Sequence, residues 1–395
     1  MKIILRVLMV SMMFMAMPRV IFAQGEAAVP FLLLAPDSKF SGLGESGSGL
    51  ADNSAAIFWN PAGIAFLTGT ELSITHSNWL PQFNLDLFYD FLTYRGYIED
   101  LDGSVTASIT FMNFGEFVRT GEHDPTPLGT FRSFDAALTL GYATKLDPDW
   151  GIGFNFRLIH SSLADKPTGE EKGTGKATTI SFDIAGMWRP EHLDIFGLNL
   201  DNSLSIGINL SNLGPKITYI DQDQADPIPT NFRLGIAAQL INDEFNSLVF
   251  TLDFSKLLVS KTTKEVPSGD TTKTVSESDE WYEAIFTAWG DKPFSEELRD
   301  IVTSMGLEYW YGTPGDFLFA LRSGFFYEDP SYGNRKFVTF GAGIRYDIYG
   351  FDFSYITTSV FKDGENHPLS DTLRFTVLIG WGAVPESTRG FPRGI

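Results

Sequence analysis

The sequence predicts an all-β fold: a closed antiparallel transmembrane β-barrel of fourteen strands, with a short N-terminal plug-like segment and a helical extracellular loop. Three observations carry this. Residues alternate apolar and polar with period two from Glu71 onward, the connections alternate long and short, and the charges within the alternating segments fall on the phase opposite the apolar one.

The alternation is clearest in "FDAALTLGYATKL". Phe134, Ala136, Leu138, Leu140 and Tyr142 share one face, and Asp135, Ala137, Thr139, Gly141, Ala143 and Lys145 the other. One apolar face at period two marks a strand half buried in a layer. The same pattern recurs in "WGIGFNFRLI", "TTISFDIAGMW", "NSLSIGINLSNL", "SLVFTLDFSKLL", "KFVTFGAGIRYDI" and "TLRFTVLIGWGA". The strands are expected at 71–79, 83–95, 103–114, 131–146, 149–163, 177–190, 202–213, 230–241, 247–258, 304–312, 315–327, 336–349, 350–361 and 371–383. Each can cross a hydrocarbon core when tilted, and the count is even, as in closed antiparallel barrels.

With both chain ends in the periplasm, odd connections lie outside and even ones inside. The third ("GEFVRTGEHDPTPLGT"), fifth ("ADKPTGEEKGTGK"), seventh ("GPKITYIDQDQADPIP") and ninth connections are long. The fourth ("DPD"), eighth ("NDEFN"), tenth ("TPG") and twelfth (Tyr349-Gly350) are short. That is the outer-membrane arrangement. The sixth connection, "RPEHLDIFGLNLDN", is longer than the rule predicts.

Asp135, Arg157, Asp183, Arg233, Asp253, Arg322, Arg345, Asp352 and Arg374 fall on the phase opposite the apolar residues. A charge facing lipid at mid-bilayer costs about 2–4 kcal/mol for Arg, so these side chains are expected to face the lumen. Both signs are present, which suits a structural network of Arg–Asp pairs; a pathway for a charged substrate is the alternative. Trp79, Trp150, Trp188, Trp310, Tyr311, Tyr346, Tyr349 and Trp381 lie near strand ends and read as interfacial girdles.

Residues 1–23 read as a secretory signal peptide, with Lys2 and Arg6 before an apolar run from Val7 to Met17 and a cleavage site after Ile21-Phe22-Ala23; an N-terminal anchor is the alternative. Residues 24–70 then form a periplasmic or lumen segment, 71–383 the barrel and 384–395 a C-terminal tail. Three of the 29 Lys and Arg lie in the signal, leaving 26 against 49 Asp and Glu, a net charge of −23. Such an acidic chain is not expected to bind nucleic acid. There is no cysteine, hence neither a disulfide framework nor thiolate chemistry.

Gly42, Gly44 and Gly47 spell G-x-G-x-x-G, but Pro36 breaks the apolar run before them and Asn60-Pro61-Ala62-Gly63 after them is a turn signal. The strand–turn–helix context of a dinucleotide site is missing. The five histidines are scattered without metal-ligand spacing, and "DQDQAD" (221–226) lacks the sixth-position glycine and twelfth-position carboxylate of a calcium loop. No nucleophile elbow and no catalytic pair stands out, so no enzyme activity, cofactor or metal is expected.

The ninth connection splits in two. "SKTTKEVPSGDTTKTVSESDE" is polar and expected to be flexible. "WYEAIFTAWGDKPFSEELRDIVTSM" places Trp281, Tyr282, Ile285, Phe286 and Trp289 at helical spacing, and Ser295 reads as an N-cap with Glu296 and Glu297 behind it. Trp281, Tyr282, Phe286 and Trp289 are therefore candidates for a partner-docking surface, or they cap the barrel mouth.

"NPAG" after a Gly-rich start resembles the N-terminus of FadL-type outer-membrane barrels. "IPTNFRLG", "LDFSKLLV", "EELRDI", "GLEYWY", "GNRKFVTFGAGIRYDIYGFDFSY" and "HPLSDTLRFT", in this order, are similar to the PorV family, the FadL-like barrels of the Bacteroidetes type IX secretion system. The resemblance runs from about residue 30 to 383; "AVPESTRGFPRGI" continues beyond it. It implies an outer-membrane component, surrounded by outer-membrane lipid, without catalytic residues. Such a protein receives cargo bearing a C-terminal β-sandwich signal from the SprA-type translocon barrel and delivers it to the PorU-type attachment complex. It also implies that Gly42–Gly63 lies at the periplasmic base or inside the barrel. A FadL-like channel for hydrophobic small molecules is the alternative function.

Overall fold

A computed structural model describes residues 27–83, 85–120, 126–164, 174–219, 225–268, 271–313, 316–361 and 368–382. The segment expected to be a signal peptide, the expected C-terminal tail and most of "DQDQAD" lie outside the described residues.

Fourteen strands close into one antiparallel barrel. They are β1 (Thr70–Asn78), β2 (Phe88–Ile98), β3 (Gly103–Thr120), β4 (Pro127–Lys145), β5 (Trp150–Ser162), β6 (Lys176–Trp188), β9 (Leu204–Leu213), β10 (Asn231–Asn242), β11 (Asn246–Leu257), β14 (Val302–Tyr311), β15 (Leu318–Tyr327), β16 (Lys336–Tyr346), β17 (Tyr349–Thr357) and β18 (Leu373–Trp381). Two small hairpins stand outside the wall: β7 (Asp194–Ile195) with β8 (Leu198–Asn199), and β12 (Lys261–Ser268) with β13 (Thr271–Ser278). Every wall strand pairs with its sequence neighbours in the wall, and β1 pairs with β18 to close the ring.

The expected strands are all present, with shifted ends. β3 runs six residues further than expected and β4 starts four residues earlier, so this hairpin rises above the rest of the wall. A bulge between Asn113 and Gly115, with Gly115 at φ 87°, re-sets the register there, and Phe117 stacks on Phe131 above it. The polar half of the ninth connection, expected to be flexible, is the paired hairpin β12–β13. Its Thr- and Val-rich run supplies the β-branched residues that favour strands.

Accessibility alternates along the wall as the sequence period requires. Outward Leu138, Leu140, Phe154 and Phe340 are exposed, whereas the intervening residues are buried. Trp150, Tyr311, Tyr346, Tyr349 and Trp381 sit exposed at strand ends, as a girdle needs. Trp310 does not: it faces inward, buried, with the Arg322 and Arg345 guanidinium groups each 5.3 Å from its ring. Trp79 also departs from the girdle: it is half-buried and packs against two buried clusters. Position near a strand end sets a residue's height; only its phase sets its face.

Facing has a measurable consequence. Replacing outward Phe250 by Arg is expected to cost about 2–4 kcal/mol of insertion near the midplane. Arg345→Gln, facing a polar lumen where Asp352 keeps Arg322 at 2.8 Å, is expected to cost less. Heat-modifiable migration across a urea series reads both; equal losses would contradict the facing.

Residues 27–67 fill the lumen and form the core. The short helices Ser38–Ser41 and Ala56–Trp59 and the 3-10 helices Pro30–Leu33 and Pro61–Phe66 lie here, almost wholly buried. The Asn60-Pro61 turn signal is thus a helix start: Asn60 accepts a hydrogen bond from the Ala62 N–H (3.0 Å), and Pro61 occupies the first turn. Inward glycines let this plug touch the wall backbone to backbone. A Cβ at Gly153 would strike Pro61, at Gly207 Ser48, at Gly235 Gly49, and at Gly324 Leu43 and Gly44. The glycine motif itself belongs to this packing. Gly44, at φ 70°, rests on Phe325 and Met305 backbone, and Gly47 lies against the rings of Phe40 and Trp59.

Candidate functional site

The lumen charges form a chain that joins plug to wall. Lys39 of the plug pairs with Asp52 (2.6 Å) and Glu308 of β14 (3.2 Å). Glu308 takes Arg322 Nε at 2.6 Å, Arg322 reaches Asp352 at 2.8 Å, and Asp352 takes Arg345 at 2.6 Å. Arg157 grips Asp183 through both terminal nitrogens, at 3.1 and 2.7 Å, and also donates to Asn212. Asp253 pairs with no cation within 4.0 Å among the described residues; it accepts from Ser46 Oγ (3.1 Å), Gly47 N (3.0 Å) and Ser48 N (2.8 Å). Arg233 lies over the Trp59 ring at 4.7 Å. Arg374 lies 5.6 Å from the Trp79 ring, and none of its side-chain nitrogens meets an acceptor among the described residues. Asp135 is buried with one carboxylate oxygen unpartnered.

The structure therefore brings Arg157 to Asp183, and Arg322 and Arg345 to Asp352. It keeps Arg233, Asp253, Arg374 and Asp135 out of ion pairs with each other. The sequence reading omitted Glu308, although its phase between Gly306 and Trp310 marks it as inward. Lys39 and Asp52 carried no such signal, because the plug has no periodicity. Another plug carboxyl, Asp37, caps the helix Ser38–Ser41 through the Phe40 N–H (3.0 Å) and accepts from the Trp59 indole (2.8 Å). Burial nevertheless pushes it up to about 6, against the pull of those two bonds.

The aromatic half of the ninth connection is built on the outside of the wall. Lys256 stands on β11 in phase with Phe250, Leu252 and Phe254 and opposite Phe232 of β10. That is the lipid-facing phase, yet Lys256 is buried, with Nζ 2.7 Å from both Glu297 and Asp300. The Trp289 ring meets Phe232 edge-on at 5.5 Å and lies 5.7 Å from the same ammonium. Lys292 lies over the Tyr332 ring at 4.8 Å, tying the segment to the β15–β16 connection. The helix Trp281–Thr287 forms as its spacing predicts. Of the two roles open for these aromatics, the contacts place Trp289 on the outer rim and not across the mouth. Trp281 and Tyr282 pack edge-on (5.7 Å), and Tyr282, Phe286 and Trp289 are exposed, together with Phe294 and Leu298. Ser295 is not an N-cap: Pro293 holds that position for the helix Phe294–Glu297, whose preset backbone starts the turn two residues earlier.

Among the described residues no group of three or more His, Asp or Glu side chains could hold a metal ion. Apart from Asp135, the buried carboxylates among the described residues are engaged by cations or backbone N–H groups, as in a structural core.

The model of the type IX secretion system protein PorV matches residues 19–264, more than half of the chain. No curated protein matches. Among solved structures, the Pseudomonas putida toluene transporter TodX is 10% identical, with a TM-score of 0.48 over 88% of this chain and 96% of that one. The Ralstonia pickettii toluene transporter TbuX is 11% identical, with a TM-score of 0.44 over 88% and 97%. A Pseudomonas aeruginosa FadL homologue is 11% identical, with a TM-score of 0.46 over 90% and 98%. These likenesses concern the barrel alone. With the filled fourteen-stranded barrel and the sequence match taken together, the chain belongs to the PorV family of type IX secretion system proteins.

Proposed function

We propose that this protein sits in the outer membrane with its long-loop end outside. There it receives secreted cargo carrying a C-terminal β-sandwich signal from the SprA-type translocon barrel and passes it to the PorU-type attachment complex. It works through its surfaces and carries out no covalent chemistry. The observation that supports this reading most is the division of the molecule. Residues 27–67 fill the lumen, while the most exposed large aromatics of the long-loop end, Phe286 (78% exposed) and Phe294 (77%), sit on a loop braced against the outer rim. Interface energy concentrates in such aromatic anchors when they are held in place beforehand.

Changing Trp281, Phe286 and Trp289 together to Ala is expected to block cargo transfer while the barrel still assembles. Replacing 264–275 by Asn-Gly, which rejoins the paired residues Thr263 and Ser276, is expected to leave secretion close to normal. Cargo release in cells, beside heat-modifiable migration of the barrel, measures both. Blocked secretion from the hairpin variant and normal secretion from the triple variant would move the docking surface elsewhere. Hydrocarbon uptake by purified protein in liposomes would favour the channel instead.

A further inference from the structure

The sixth connection, at the opposite end of the barrel, carries a feature that the outer-rim loop does not explain. It is a rigid hairpin with an aromatic tip. β7 and β8 pair Asp194 with Asn199 and Ile195 with Leu198, leaving Phe196 and Gly197 as a two-residue turn. Both turn residues take positive φ, 54° and 81°. Tight hairpins need this geometry, and Asn, Asp or Gly normally supplies the first of the two residues. A bulky Phe at positive φ is an outlier that persists only where something else holds it.

Here the side chain of Asp194 accepts from the Gly197 N–H (2.9 Å), and Asp201 accepts from the Leu193 N–H (2.8 Å). The base is tied down as well, since Glu191 N–H donates to Asp149 Oδ1 of the β4–β5 turn at 2.9 Å. The strained turn presents Phe196 at 102% exposure and Leu198 at 66%. Glu191, Asp194 and Asp201 lie along this hairpin and Asp147 and Asp149 in the turn that braces its base, and between Glu191 and Asp201 there is no Lys or Arg.

We propose that the Ile195–Leu198 tip is a docking finger for a protein on the periplasmic side whose apolar pocket is ringed by Lys and Arg. The assignment of the side rests on the orientation given above. The acidic surround disfavours the lipid surface, because segments that insert into an interface carry basic residues toward anionic headgroups. It favours a basic partner, since complementary charge steers association and fixes register around a buried anchor. The turn strain fits the same role: an Asn would relax the backbone but would leave the finger without its anchor.

The test uses the full-length barrel in cells. Phe196→Cys, probed with a membrane-impermeant maleimide, settles orientation first: labelling only after the outer membrane is permeabilised is expected, and labelling of intact cells would overturn the orientation and the periplasmic partner with it. A photo-reactive benzoylphenylalanine at position 196 is then expected to give one protein adduct, identified by mass spectrometry as a periplasmic protein with a basic-rimmed apolar pocket. Its yield should fall at least about tenfold in the Glu191→Gln, Asp194→Asn, Asp201→Asn triple variant, which keeps the hydrogen-bond acceptors while removing the charge. In a separate strain, Phe196→Asn suits the turn better than the native residue. It is expected to lower cargo release several-fold at unchanged barrel stability. Adducts to lipid only, no adduct, an adduct indifferent to the charge change, or normal release from Phe196→Asn would each overturn the finger.

Discussion

Gly324→Val is expected to evict the plug or to prevent the barrel from closing. The Cβ it introduces would fall on the backbone of Leu43 and Gly44, and backbone cannot move aside by a rotamer change. Overpacking a well-filled core costs about 1–3 kcal/mol where side chains can give way, and more where they cannot. Lost with the contact would be the neighbouring bond from Gly44 N–H to Thr339 Oγ1 (2.9 Å) and the pairing of Lys39 with Glu308, since both belong to the same stretch of plug. Urea unfolding followed by heat-modifiable migration should show loss of the folded band at far lower denaturant. A cysteine placed at Leu43 should become reactive in whatever barrel remains. Gly186→Val is the control, because a Cβ there meets nothing within 4 Å. Unchanged stability for Gly324→Val would mean that the plug does not lie against β15.

Lys256→Met is expected to release the outer loop while sparing the barrel. Removing one partner of a buried ion pair costs about 3–5 kcal/mol when the remaining charges stay buried. Here they need not stay. Glu297 and Asp300 lie on a loop that can swing into water, so the loss should appear as local opening of 281–300. Lys292 still reaches Asp300 at 2.9 Å and moderates the effect. Limited proteolysis within 281–300 and a shift in Trp289 fluorescence report the opening. Combining Lys256→Met with Glu297→Gln should recover part of the loss, because Asp300 then keeps Lys292 and no buried carboxylate is left without a cation; the cycle isolates the pairing energy. A loop that stays protected in Lys256→Met would argue that stacking on Phe232 alone holds it.

The wall was legible because a two-sided sheet imposes period two on its sequence. Asp183, Arg322 and Asp352 stood out for that reason, and the same reading could have found Glu308. The plug was not legible in detail. Its helices are four to six residues long, too short for a periodic signal, and they are held by partners far along the chain. Lys256 was hidden for the opposite reason. Its phase says lipid, and only the fold of a segment some forty residues later turns that phase into a buried pair. Trp310 misled because height along a strand was read as facing. The Phe196 turn breaks the local preference for Asn or Gly, which is where sequence reasoning is expected to fail at a site under some other demand.

The plug also sets an order of events. Ser38 N–H donates to Thr376 Oγ1 (3.1 Å) across 338 positions of sequence, and Gly44 N–H reaches Thr339 across 295. The earliest described part of the chain thus finds its last partners only when the final strands arrive. Contacts of such separation are slow to form, although the entropy of closing so long a loop grows only with the logarithm of its length. β18 lies between β1 and β17 in the wall and carries Thr376, so a single docking event seals the ring and seats the segment inside it. The N-terminal residues act as a mandrel around which the sheet is wound, and a chain that stopped short of β18 would leave both the seam open and the mandrel unanchored on that side.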